Sequence, residues 1–360
     1  MITRSKVLVL WLLVGGVACS DGATDPTDST VGGVDLDVLF APPTQAEIDA
    51  VAADWATRSL AAVDVVVERD SVVLVDGVRV RVRVVTHVVD GFRHVGAVLS
   101  ADSAAGPAPV VVYAHGGDSG VRVEDVLLQF SLAGDDARRF VWVVPSFRSE
   151  SLEFAGVTYT SQGSESPWDR DVDDALALLD VALGVESSAD PGSVGVLGFS
   201  RGAGVGLLMA VRDPRIDRVV DFFGPTDFFG EYSRDIVAEA LGGEVRDLPG
   251  LEYLDQTWIT PLSRGETSIA EARLELVRRS VVLYAQDLPA VQVHHGTADA
   301  VVDVSQARSL MDAMAAIGRG EPGFQAYLYD GGVHNPLTLL GSFGRTTDFL
   351  VALLPTPVVQ

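Results

Sequence analysis

The chain has 360 residues, enough for one large α/β core or two modest domains. Hydrophobic residues make up 48% and charged residues 21%, the balance of a globular protein with a filled interior. A formal net charge of -24 argues against nucleic acid, whose phosphates need clustered Lys and Arg, and disfavours anionic membrane surfaces; the carboxylates chiefly serve solubility.

The first segment carries Arg4 and Lys6, then an apolar run over 7–14, then small residues up to Cys19. The run is too short for a permanent transmembrane helix. Cys19 is the single cysteine, so no intramolecular disulfide can form and no thiolate site exists in the core. Val17-Ala18-Cys19 resembles the lipobox of bacterial lipoproteins. That resemblance implies a signal peptide over 1–19, export to the periplasm-facing or cell surface, and a membrane anchor carried by lipidated Cys19. Residues 20–43, polar and aperiodic at their start, are expected to form a flexible tether. A folded domain is then expected over 44–360.

Helical apolar spacing marks residues 44–61, with Thr44 as N-cap. From residue 63 to 100 the pattern alternates: Val78, Val80, Val82 and Val84 interleave with Arg79, Arg81 and Arg83, as in a strand with one wet face. Asp90-Gly91 turns the chain into a second strand over 92–99. Both read as antiparallel edge strands. Uninterrupted apolar runs follow at 109–114 and 140–144, as doubly covered parallel strands require, and further strands are expected over 193–197, 216–223, 290–294 and 324–329. Helical patterns lie between them, notably 168–183 and 203–212, and a last helix is expected over 337–354. This alternation defines a doubly wound, mostly parallel α/β sheet. Residues 228–288 carry helical stretches such as 268–284 but no strand, and read as a helical cap inserted over the strand ends.

Gly198-Phe199-Ser200-Arg201-Gly202 sits between one of these strands and a helix. G-x-S-x-G in that setting is a nucleophile elbow, a strained turn that exposes the serine. A serine hydroxyl needs a base to take its proton and an acid to orient that base, in the chain order Ser, acid, His. His334, in the glycine-rich loop after the last strand, suits the base. Asp299, at the end of the preceding strand, suits the acid, with Asp227 and Asp303 as alternatives. The adjacent pair His294-His295 points to opposite faces of a strand, which disfavours a shared metal. The oxyanion of the transition state needs backbone donors. Gly117, with Gly116 as the alternative, supplies one from the loop after strand 109–114, and the N–H of Arg201 supplies the other. The side chain of Arg201 has two readings, a contact to a substrate carboxylate or a surface ion pair. Asp118, Glu150 and Glu153 are faint candidates for a cationic substrate end. Phe199, Phe222, Phe223, Phe228 and Phe229 gather near the site, mostly as core.

His115-Gly116-Gly117, Pro145-Ser146-Phe147-Arg148, the elbow, His295-Gly296-Thr297-Ala298-Asp299 and Gly331-Gly332-Val333-His334 together resemble the prolyl-oligopeptidase-like group of α/β-hydrolases, over residues 75–355. The resemblance implies an α/β-hydrolase fold with Ser200 as nucleophile, Asp299 as acid and His334 as base, and no metal or organic cofactor. The expected activity is hydrolysis of a small-molecule ester or amide through an acyl-enzyme. The rivals are a short-peptide peptidase, for which the β-propeller of family peptidases has no counterpart before residue 75, and a non-catalytic binding protein on the same scaffold.

Overall fold

A computed structural model describes residues 29–101, 106–132 and 135–355. The chain opens with β1 (Thr30–Val31), β2 (Val34–Asp35), α1 (Leu36–Leu39) and α2 (Gln45–Thr57). Three long strands follow: β3 (Val63–Val75), β4 (Val78–Val89) and β5 (Phe92–Ala101). Next come β6 (Ala108–Ala114), β7 (Val121–Arg122), α3 (Val123–Leu132), β8 (Val141–Pro145), β9 (Ser151–Phe154), β10 (Val157–Thr160) and α4 (Arg170–Val185). The central unit is β11 (Ala189–Phe199), α5 (Arg201–Arg212) and β12 (Ile216–Phe222). After β12 come only helices: α6 (Glu231–Leu241), α7 (Leu251–Leu254), α8 (Thr260–Ser263) and α9 (Ile269–Val277). The fold closes with β13 (Ala290–Gly296), α10 (Ser305–Ala316), β14 (Phe324–Tyr329) and α11 (Ser342–Val351).

Nine strands form one sheet in the order β14-β13-β12-β11-β6-β8-β5-β4-β3. The six from β8 to β14 run parallel, whereas β3, β4 and β5 pair antiparallel and β5 meets β8 antiparallel. The alternation along β6 explains its burial on both faces. Val110, Val112 and Ala114 enter one apolar layer, and Val111 and Tyr113 enter the other. Strand order reverses at β6, whose successor β8 lies on one side and β11 on the other. The crevice at such a switch point, at the carboxyl ends of the strands, is where ligands bind in open α/β sheets.

Three expectations are corrected. The tether expected over 20–43 is structured from residue 29 onward. Val34, Leu36, Leu39 and Phe40 are buried, and Arg273 of α9 donates to the carbonyls of Val38, Leu39 and Ala41. The apolar spacing within 34–40, masked by the polar stretch before it, accounts for this packing. The helix expected over 268–284 breaks after Val277 and resumes as a 3₁₀ segment over Val281–Asp287. The last helix begins at Ser342, after a separate 3₁₀ turn over Pro336–Thr338. A small sheet of β10, β9 and β7 was not foreseen; its strands have four residues or fewer. Residues 1–19, including Cys19, lie outside the described residues.

Candidate active site

β11 ends at Phe199 and α5 begins at Arg201, so Ser200 makes the whole turn alone, at φ +53° and ψ -121°. An L-residue there is strained, and the fold holds it by a hydrogen bond from Ser200 N–H to Phe222 O, 2.8 Å. The flanking glycines are steric requirements. A Cβ on Gly198 would lie 2.5 Å from the Ala203 Cα, and one on Gly202 would lie 2.1 Å from the Ala114 oxygen.

The loops after β13 and β14 are zipped together. Thr297 N–H donates to Tyr329 O and Ala298 N–H to Gly332 O, each at 2.9 Å. Gly296 touches Gly332 so closely that a Cβ there would meet its oxygen at 2.2 Å. This contact brings Asp299 and His334 side by side. His334 Nδ1 lies 2.7 Å from Asp299 Oδ2, and His334 Nε2 lies 2.9 Å from Ser200 Oγ. The other oxygen, Oδ1, accepts the N–H groups of Val301 and Val302 at 2.9 and 3.0 Å. Burial alone would push the Asp299 carboxyl up; the hydrogen bonds from His334 and the two N–H groups outweigh it and hold the group below its ordinary value. A carboxylate so held keeps the proton of a neutral His334 on Nδ1 and leaves Nε2 to face the serine.

The alternative acids are used elsewhere. Asp227 caps the turn into the cap by accepting from Phe229 N–H, and Asp303 accepts from Ser305 N–H at the start of α10. His294 and His295 do point to opposite faces. His294 stacks on Phe222 and Tyr327, and its Nδ1 lies 2.7 Å from the Tyr329 hydroxyl. His295 Nε2 donates to Val302 O at 2.9 Å beneath Asp299. Phe199, Phe222 and Phe223 pack against one another, and the Phe223 ring lies 4.2 Å from that of His334.

Gly116 closes on the serine from β6: a Cβ there would lie 3.1 Å from the Ser200 Cβ. Gly117 follows at φ +78° with open space before it. The N–H groups of Gly117 and Arg201 make no hydrogen bond among the described residues, and that of Arg201 opens α5, where no carbonyl lies one turn earlier.

Neither sequence reading of the Arg201 side chain holds. It is 1% exposed, and its carboxylates are the protein's own: Nε and Nη2 meet Asp171 Oδ2 at 2.9 and 2.8 Å, and Nη1 meets Glu150 Oε1 at 2.6 Å. Glu150 is therefore not free for a cationic substrate, and Glu153 faces Arg122 at 3.6 Å. Burial pushes the Glu150 carboxyl up to about 7 despite Arg201, and burial drives the neighbouring His115 down to about 4. Charged residues scattered across three segments carry no local signal that they meet in the interior.

Beside Ser200 lies a cavity with an empty volume of about 710 Å³, its mouth included. Trp168, Phe228, Ile236, Trp258, Ile259 and Val302 line it, most of them contributed by the cap. Of the five phenylalanines singled out from the sequence, only Phe228 lines this cavity. Trp168 is fixed by its indole N–H donating to Arg201 O at 3.1 Å. Trp168, Tyr232 and Trp258 were not singled out in the sequence as cavity residues.

Sheet order, crossover helices and helical cap together define an α/β-hydrolase fold. Among solved structures, the chain is similar to acetyl xylan esterase 1 from a Thermoanaerobacterium species: TM-score 0.60, 17% identity, 87% of this chain and 95% of that one covered. An acetyl xylan esterase from a Paenibacillus species gives TM-score 0.58 and 15% identity over 88% and 99% of the two chains. A puromycin-hydrolysing peptidase of Mycobacterium tuberculosis gives TM-score 0.51 and 17% identity over 79% of this chain but 39% of that one. No family model and no curated protein sequence matches the chain.

Proposed function

We propose that the chain is a serine hydrolase that cleaves esters, or activated amides, through an acyl-enzyme. The observation that carries this reading is the relay from Ser200 Oγ to His334 Nε2, 2.9 Å, and from His334 Nδ1 to Asp299 Oδ2, 2.7 Å, at a strained elbow. In this reading His334 Nε2 takes the proton of Ser200 as Oγ bonds to the substrate carbonyl carbon. The resulting oxyanion is held by the N–H groups of Gly117 and Arg201. Collapse breaks the bond to the leaving oxygen or nitrogen, which takes the proton from Nε2. Water then gives a proton to Nε2 and its oxygen to the acyl carbon, and the proton returns to Ser200 Oγ as the acid leaves. Asp299 holds the imidazole tautomer and stabilises the imidazolium.

The cavity supports an apolar acyl group larger than acetyl. Its walls are aromatic and aliphatic, and the guanidinium of Arg201 is spent on Asp171 and Glu150 rather than offered to a charged substrate end. An ester with such an acyl group fits this lining better than a peptide with a free ammonium. Export and lipidation at Cys19 belong to the same proposal and are tested by radiolabelled palmitate incorporation in wild type against Cys19→Ser.

The deciding experiment is intact mass after treatment with a fluorophosphonate, wild type against Ser200→Ala. One adduct on the wild type and none on the variant is the expected result. An unmodified, folded wild type would favour a binding protein on a hydrolase scaffold. A 4-nitrophenyl ester series from acetyl to octanoyl, run beside short peptides, then ranks the substrate classes.

A further inference from the structure

The peptide joining Gly116 to Gly117 is one rigid plane, whose carbonyl belongs to Gly116 and whose N–H belongs to Gly117. In a trans peptide these two groups point in opposite directions, so whatever holds the carbonyl aims the N–H. His115 Nδ1 donates to Gly116 O at 3.1 Å. A carbonyl only accepts, so this contact places the hydrogen on Nδ1. The next carbonyl is held as well: Gly117 O accepts from Arg201 Nη1 at 3.4 Å. The same Nη1 donates to Glu150 Oε1 at 2.6 Å, and Glu150 Oε2 lies 3.4 Å from His115 Nε2. The ring of Phe147 fills the centre, 4.6 Å from the imidazole and 5.1 Å from the guanidinium carbon. Asp171 braces Arg201 from behind. A loop held merely by packing would not need side-chain donors on two consecutive carbonyls.

We propose that His115, Glu150 and the Arg201 side chain form a positioning clamp that aims the Gly117 N–H at the oxygen of the group bonded to Ser200. The inference rests on the serine-hydrolase reading above. One proposed oxyanion donor is the N–H of Arg201, and the side chain of that same residue anchors the loop that carries the other. His115 and Glu150 touch no reacting atom; they act through the loop.

The test uses the full chain and the rate of phosphonylation by a fluorophosphonate, whose phosphoryl oxygen takes the oxyanion position. Asparagine at 115 can set its amide nitrogen where Nδ1 stood, whereas glutamine sets it nearer Nε2. His115→Gln is expected to lower the maximal inactivation rate by roughly 10–100-fold, less than outright loss of an oxyanion donor, with the reagent's binding constant within about threefold. His115→Asn is expected to recover most of that loss. Glu150→Gln against Glu150→Leu repeats the comparison from the other end of the clamp, should a His115 variant fail to fold: Gln retains an acceptor for Arg201 and can donate to His115 Nε2, and Leu does neither. Folded variants whose paired substitutions react equally, or whose loss lies wholly in reagent binding, overturn the clamp. A wild type that never reacts overturns the hydrolase reading and the clamp with it.

Discussion

Ser200 stands between two flanks of opposite character. On one side, the charged Glu150, Asp171 and Arg201 and the neutral His115 form a buried polar network, each no more than 4% exposed. On the other, the cap presents aromatic and aliphatic walls around an open cavity. In the proposed reading the two solve different problems. Orientation of a dipole requires fixed charges and directional hydrogen bonds, which a dry interior strengthens. Accommodation of an acyl chain requires apolar area, which is non-directional and tolerant of small changes. Substitution should therefore damage rate and stability on the ionic flank and selectivity on the apolar one.

The relay between the flanks sets the scale. Ser200→Ala or His334→Ala should lower kcat for an ester by about 10⁴-fold or more without unfolding the protein. Turnover within tenfold of the wild type in either variant would refute the relay. Asp299→Asn should cost about 10³–10⁴-fold, because an amide no longer enforces the tautomer or stabilises the imidazolium.

On the ionic flank, Arg201→Met strands Glu150 and Asp171 without a counter-charge. A loss of about 3–5 kcal/mol in urea unfolding is expected. Unchanged stability would mean that the network relaxes to admit water. On the apolar flank, Ile259→Trp narrows the cavity; at this buried position it should cost about 1–3 kcal/mol of stability and lower the octanoyl-to-acetyl ratio of kcat/KM by about 10–100-fold. An unchanged ratio would place the acyl chain outside the cavity.

The smallest effect concerns pH. Asp221 is fully buried, and burial drives its carboxyl up to about 7 against one hydrogen bond from Gly224 N–H. The folded chain thus holds this proton to higher pH than the unfolded chain does. The stability so contributed is complete below the ordinary carboxylate range and lost as pH rises through about 7. Asp221→Asn, which cannot titrate, should flatten the fall of Tm between pH 4 and 8. Glu47 acts with the opposite sign. Its hydrogen bonds with Arg273 lower it to about 2, so its contribution is present above the ordinary value and lost as pH falls toward 2.

Much of this was legible in the residues. Apolar runs without alternation marked β6 and β8, because a strand covered on both faces has no polar side. Gly198 and Gly202 marked the elbow, because no side chain fits against Ala203 or the Ala114 carbonyl. Ser200, Asp299 and His334 each follow a strand end, and parallel strands carry all three to one edge of the sheet. Those features are local: a backbone angle, a face, a position after a strand.

Tertiary structure decided the rest. Three aspartates were open as the partner of His334 until the loops after β13 and β14 touched and left Asp299 beside it. Arg201 read as a substrate contact or a surface ion pair until Glu150, 51 residues earlier, and Asp171 met it in the interior. The segment from residue 29 to 43 read as a tether until Arg273, far along the chain, was found on its carbonyls. A sequence specifies its own periodicities locally. Which distant charges neutralise one another depends on strand order and on the cap folding back, and no short-range pattern carries that information.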